Sequence, residues 1–86
     1  MASYPLQIMA MDRLGYEGNV DHVLAKGTEG YLGVMAHHAP LVTELDAGTL
    51  ELTEGGTKRS FKLDGGLLEV GGNAAVILAD GSVEEL

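Results

Sequence analysis

Three glycine pairs, at 55–56, 65–66 and 71–72, cut the C-terminal half of this 86-residue chain into short apolar runs. Helices need about 10 or more uninterrupted residues, and glycines this dense interrupt them, whereas tight hairpin turns require glycine's freedom at positive φ. The chain holds 13 glycines and only two prolines, Pro5 and Pro40. Between the turn signals, side chains alternate with period two. Leu6, Ile8 and Ala10 share a face in Leu6–Met11, and Gly15–Gly18 follows as a short strand. In Val20–Lys26, Val20, His22 and Leu24 oppose Asp21, Val23 and Ala25. Tyr31–Met35 and Leu41–Leu45 flank the loop Ala36–Pro40. Thr49–Thr53 turns through Glu54-Gly55-Gly56-Thr57 into Arg59–Leu63, with Leu50, Leu52, Phe61 and Leu63 inward and Glu51 and Lys62 outward. Asp64-Gly65-Gly66 leads into Leu67–Val70, Gly71-Gly72-Asn73 into Ala74–Ala79, and Asp80-Gly81 into a last segment at Val83. Ala74–Ala79 is almost continuously apolar and is expected to be a central strand covered on both faces. Turns at this spacing predict an all-β fold: a small β-sandwich of about ten short, mostly antiparallel strands. No repeat, low-complexity stretch or linker interrupts it, so residues 1–86 read as a single domain.

Charge narrows the function. The net charge is −8, with Lys58, Arg59 and Lys62 facing nine acids from residue 44 onward. Such a chain repels phosphate backbones and anionic lipid, so nucleic acid is not an expected partner. No stretch reaches the ~20 apolar residues of a spanning helix, and the N-terminus lacks a basic leader, so neither direct membrane insertion nor a signal or transit peptide is expected. The absence of cysteine removes thiol chemistry. A small domain buries only about 60–65% of the surface of its unfolded chain, so docking onto a partner would add to its stability.

Catalytic constellations are missing. His37 and His38 are adjacent and, in an extended segment, point to opposite faces; zinc would need further ligands from elsewhere. No metal site and no cofactor are expected. Ser3, Ser60 and Ser82 lie in no nucleophile elbow. The glycine turns carry no Lys-Ser/Thr pair and open no helix, so they are hairpin turns and not phosphate cradles. Pairs such as Asp12/Glu17, Glu44/Asp46 and Glu84/Glu85 read as solvated charges. Lys26 raises an alternative, a lipoyl- or biotinyl-type carrier domain, although Ala25 and Gly27 fit that motif poorly. Gly30–Thr43 contains no formal charge if histidine is neutral. It is either core or interface, and the apolar character of Ala36-His37-His38-Ala39-Pro40 favours interface.

Four motifs in order carry a family resemblance. Thr28-Glu29-Gly30-Tyr31-Leu32-Gly33-Val34, followed by His38-Ala39-Pro40-Leu41-Val42-Thr43, resembles the hallmark of the F-type ATP synthase epsilon subunit. Leu45 with Gly48, then Gly65-Gly66-Leu67-Leu68-Glu69-Val70, then Val76-Ile77-Leu78-Ala79-Asp80 continue the likeness. It spans about Leu6 to Asp80. Ala36 and His37 stand where the family has Pro and Gly, which asks His37 to adopt a conformation that suits glycine. Members usually continue into two C-terminal helices; here the sequence stops at Leu86, so no helical hairpin, and none of the inhibition or ATP binding it confers, is expected. The resemblance implies a non-catalytic rotor subunit of the central stalk, one copy per complex, joining the gamma subunit to the c-ring. It would support ATP synthesis driven by a transmembrane proton gradient at the cytoplasmic face of a bacterial membrane. By the same resemblance, His38, Ala39, Pro40, Leu41, Val42 and Thr43 lie near gamma, and Glu29, Gly30 and Tyr31 face the c-ring.

Overall fold

The structure, a computed structural model, describes residues 2–86. Ten strands follow one another: β1 Tyr4–Met9, β2 Leu14–Val20, β3 His22–Gly27, β4 Gly30–Met35, β5 Leu41–Leu45, β6 Gly48–Glu54, β7 Thr57–Leu63, β8 Gly66–Gly71, β9 Ala74–Ala79 and β10 Val83–Glu85. No helix occurs among the described residues. Hydrogen bonding runs in the order β10-β7-β6-β3-β5-β8-β9-β1-β2, with β4 on the other edge of β3. The ladders are antiparallel except for β1 against β9.

Strand β3 is where the sheet folds over. It pairs with β4 along its whole length and with β6 through His22, Val23 and Leu24. It meets β5 at a single pair, Gly27 opposite Leu45. That pair joins the half β10-β7-β6-β3-β4 to the half β5-β8-β9-β1-β2, and the two halves close face to face. Their inner faces form one cluster that includes Leu6, Ile8, Val23, Leu50, Leu52, Phe61, Leu68 and Ile77. No polar or charged residue is buried among the described residues apart from the tyrosines. Each large aliphatic side chain in such a core contributes about 1.5–3 kcal/mol relative to exposure.

The turns follow the glycines. Gly55 and Gly56 have φ of 57° and 83°, the double positive φ of a two-residue hairpin. Gly66 serves a close approach instead: a Cβ there would run into the backbone carbonyl of Leu78 on the neighbouring strand. At the β8–β9 turn, Gly72 shares the positive-φ role with Asn73, at 59° and 55°.

Three expectations, two about faces and one about bounds, need correction. Val20, His22 and Leu24 do not share a face: the chain bends at Asp21, whose amide donates to the Thr53 carbonyl at 2.7 Å. The bend resets the alternation, so Val20 and Val23 are both buried while Leu24 is exposed. Strand β9 is interior, as expected, but only its inner face is covered; Ala75, Ile77 and Ala79 point in and Leu78 is 44% exposed. The first strand begins at Tyr4, two residues early, and ends at Met9 in a bulge. Tyr4 is buried, and its hydroxyl donates to the Val34 carbonyl at 2.7 Å, tying β1 to β4 across the core.

Candidate docking surfaces

The β3–β4 hairpin and strand β5 frame an open groove of about 380 Å³. Glu29 and Gly30 contribute from the hairpin end, Tyr31 and Leu32 from β4, and His38, Leu41 and Thr43 from the other side. The two segments that the sequence assigned to different partners therefore share one concavity. Tyr31 is 67% exposed at its mouth. The His38 ring turns toward its own backbone: Nδ1 lies 2.7 Å from the Ala39 carbonyl oxygen, which can only accept, so Nδ1 is the donor. Ala39 and Pro40 are exposed on the approach to β5, outside the groove lining. Val42 alternates with Leu41 and Thr43 along β5, so it lies on the outer face, 61% exposed.

His37 adopts φ of 63°, the left-handed region that glycine would occupy without strain. Its amide donates to the Asn73 side-chain oxygen at 2.8 Å. The loop before β5 is thus pinned to the β8–β9 turn, and the two histidines lie in a turn rather than an extended segment. Among the described residues no three His, Asp or Glu side chains gather closely enough to hold a metal ion. Lys26 stands within β3 opposite Tyr31, in the ladder and not at the hairpin tip where a carrier lysine would sit.

Sequence reasoning missed an exposed apolar surface. On the outer face of the β5-β8-β9-β1-β2 half, the register sets Leu67 beside Leu78, Leu78 beside Met9, and Met9 beside Leu14. Met9, Leu14 and Leu78 are 40%, 49% and 44% exposed, and Leu67 is half-buried. The adjacent row runs Val42, Glu69, Val76, Gln7 and Glu17, and Glu44 ends the first row beside Leu67. An apolar band across four strands, edged by carboxylates, results. The available signal was the near-continuous apolar run 74–79 and Met9 beside Ile8: strands that place apolar residues on both faces.

A polar cluster joins four strands, β2, β6, β7 and β10. Arg59 of β7 donates through Nε and Nη2 to both carboxylate oxygens of Glu85 at 2.8 Å, and through Nη1 to Glu54 at 3.1 Å. Its guanidinium lies 5.0 Å from the Tyr16 ring centroid and 5.6 Å from that of Phe61. The Tyr16 hydroxyl donates to Glu54 at 2.9 Å. Burial, and then the hydrogen bond to Glu54, push the Tyr16 phenol up to about 12. The hydrogen bond from Arg59 holds the Glu85 carboxyl below its ordinary value, and the same contacts raise the guanidinium. One guanidinium thus bridges two carboxylates from different strands, an arrangement of structural ion pairing.

These features define a small β-sandwich with broad outer faces for contact. Residues 3–85 match the family described as "ATP synthase, Delta/Epsilon chain, beta-sandwich domain", and the chain belongs to that family. It is 39% identical to the ATP synthase epsilon chain of Caulobacter vibrioides, covering 98% of both chains. To that of Nitrobacter winogradskyi it is 40% identical, covering all of this chain and 65% of the relative, and to that of Carboxydothermus hydrogenoformans 43%, covering 87% and 56%. The chain therefore spans well under the full length of some relatives. A chain in the cryo-EM structure of Euglena gracilis mitochondrial ATP synthase, OSCP/F1/c-ring, superposes with a TM-score of 0.90 at 26% identity, over 99% of this chain and 54% of that one. One in the central stalk/c-ring structure from Tetrahymena thermophila has a TM-score of 0.77 at 17% identity, over 92% and 63%, a likeness of fold.

Proposed function

We propose that this chain is the β-sandwich of a non-catalytic central-stalk subunit of an F-type ATP synthase, gripped between the gamma subunit and the c-ring. The reading places it peripherally at the cytoplasmic face of a bacterial membrane, one copy per complex, supporting proton-driven ATP synthesis without bond chemistry of its own. The observation that carries it is the apolar band Leu67, Leu78, Met9 and Leu14 on the outer sheet face. Four strands hold these side chains in a fixed row that no other described element covers. A seat of this kind suits an apolar helix of gamma flanked by basic residues, because Glu17, Glu44 and Glu69 edge the band. A stable interface needs about 800 Å² from each partner. Val42, next to the band, joins it toward gamma.

The groove end then faces the ring. Glu29, Gly30 and Tyr31 lie at one end of the sandwich with His38, Leu41 and Thr43 across from them, and a polar loop of the ring fits between. Bacterial relatives named ATP synthase epsilon chain and the Euglena likeness support a place in the central stalk; the two faces are assigned from the surface chemistry alone.

The test is co-purification with gamma and the c-ring. Leu78→Glu projects from the exposed face, so the isolated domain should keep its melting temperature within a few degrees. A carboxylate buried unpaired in the interface costs several kcal/mol, so gamma binding should weaken about 100-fold or more. Binding that survives Leu78→Glu and Val42→Asp together would rule out this face as the seat.

A further inference from the structure

Strands β10 and β2 end the hydrogen-bonded order at opposite extremes, and the sandwich brings them side by side without a ladder between them. Val83 Cγ1 lies 3.0 Å from where a Cβ of Gly15 would stand, so the two strands touch through side chains. The backbone of β10 is held from one side only, by β7: Val83 opposite Leu63, Glu84 opposite Lys62, Glu85 opposite Phe61, with the Leu86 amide donating to the Ser60 carbonyl at 2.9 Å. Three pairings are too few to hold a strand in water on their own. Side chains supply the rest. Arg13 Nη2 donates to the Val83 carbonyl at 2.6 Å, Asp64 accepts from the Ser82 amide and hydroxyl at 3.2 Å, and Arg59 grips Glu85 with a two-pronged fork. Only Val83 of the strand enters the core.

We propose that β10 is a latch: a strap of three residues, fastened by the Arg59–Glu85 fork, that lifts off and re-docks as a unit while the other nine strands stay folded. Lifting it breaks the fork, withdraws Val83 and leaves the β7 edge open; it removes none of the large buried side chains such as Leu6, Leu52 or Phe61. The cost is therefore a fraction of global unfolding, the condition for a separate opening unit. The latch also reports on the docking face. Arg59 reaches Glu54, Glu54 accepts from Tyr16, and Tyr16 lies on β2 two residues after Leu14 of the outer band. A partner that fixes β2 holds the surface against which the strap closes. This last link rests on the proposed docking to gamma; the latch itself does not, and it is tested on the isolated protein.

Amide hydrogen exchange followed by NMR reads the opening directly. In the unaltered protein the Leu86 amide should be protected, yet exchange by an opening with weaker denaturant dependence than the amides of β8 and β9. Arg59→Lys keeps the charge but loses the fork and the stacking. It should speed Leu86 exchange about tenfold or more, since charge-assisted bidentate bonds are the strong ones; global unfolding breaks the fork too, so the β9 amides should speed up by no more than the same factor and keep their steeper denaturant dependence. Glu85→Gln, an exposed change that cannot disturb the core, should act in the same direction, and the two changes together should add little to either alone. The proposal is overturned if Leu86 is unprotected from the start, if it exchanges only with global unfolding, or if neither substitution alters its rate.

Discussion

Tyr4 illustrates how one atom can tie the halves of a small sandwich. Its hydroxyl donates to Val34 inside the core. Tyr4→Phe leaves that carbonyl unsatisfied, so chemical denaturation should show a loss of about 1–3 kcal/mol with an unchanged m-value. His37 is a second sensitive point, since its φ of 63° is costly for most side chains. His37→Val should destabilise by about 1–2 kcal/mol, because a β-branched residue tolerates that region least, whereas His37→Gly should be tolerated. A thermal melt of both variants separates backbone strain from loss of the ring. Neither effect was fully legible beforehand: the motif flagged position 37, but Asn73 as its partner comes from a turn 36 residues away.

At the scale of elements, β8 and β9 approach so closely at Gly66 that a Cβ would strike the Leu78 carbonyl. Gly66→Ala should therefore disrupt the pairing of Gly66 with Ala79 and abolish cooperative folding or lower the melting temperature by more than 10 °C for a roughly 3 kcal/mol strain. Leu78→Glu, one pair along on the opposite face, should leave folding intact. The contrast between neighbours follows from which side of β9 is covered. Eight of the strands lie close to where alternation and turn residues put them, because those signals are local. The bend at Asp21 escaped notice since it is stabilised by Thr53, 32 positions later. The apolar band was overlooked for a related reason: a run such as 74–79 reads the same whether its second face meets the core or a partner.

The molecule as a whole should respond to pH at both extremes. Burial pushes the phenols of Tyr4 and Tyr16 up to about 12. An unfolded phenol ionises near about 10, so the folded state holds two protons that the unfolded state has released between those values. Stability from this source is complete below about pH 10 and falls as pH rises toward 12; two of the three tyrosines should ionise only in step with unfolding in an ultraviolet titration. In acid the sign reverses. The Glu85 carboxyl is depressed by Arg59, so its contribution is present above the ordinary carboxylate range and lost as pH falls through the depressed value. The Leu86 amide should lose protection there first, ahead of β9.

Local chemistry in the chain was enough to determine an all-strand fold, the positions of its tight turns, the alternating core residues and the membership of an epsilon-type family. These depend on neighbours a few residues apart, and glycine, proline and period-two patterning encode them directly. Tertiary structure alone decided that Glu29 and Tyr31 share a groove with His38 and Thr43, that Leu67, Leu78, Met9 and Leu14 align, and that Arg59 clasps the last strand. Each of these joins residues distant in sequence through strand register and sheet closure, and register is set by the packing of the whole sandwich rather than by any one segment.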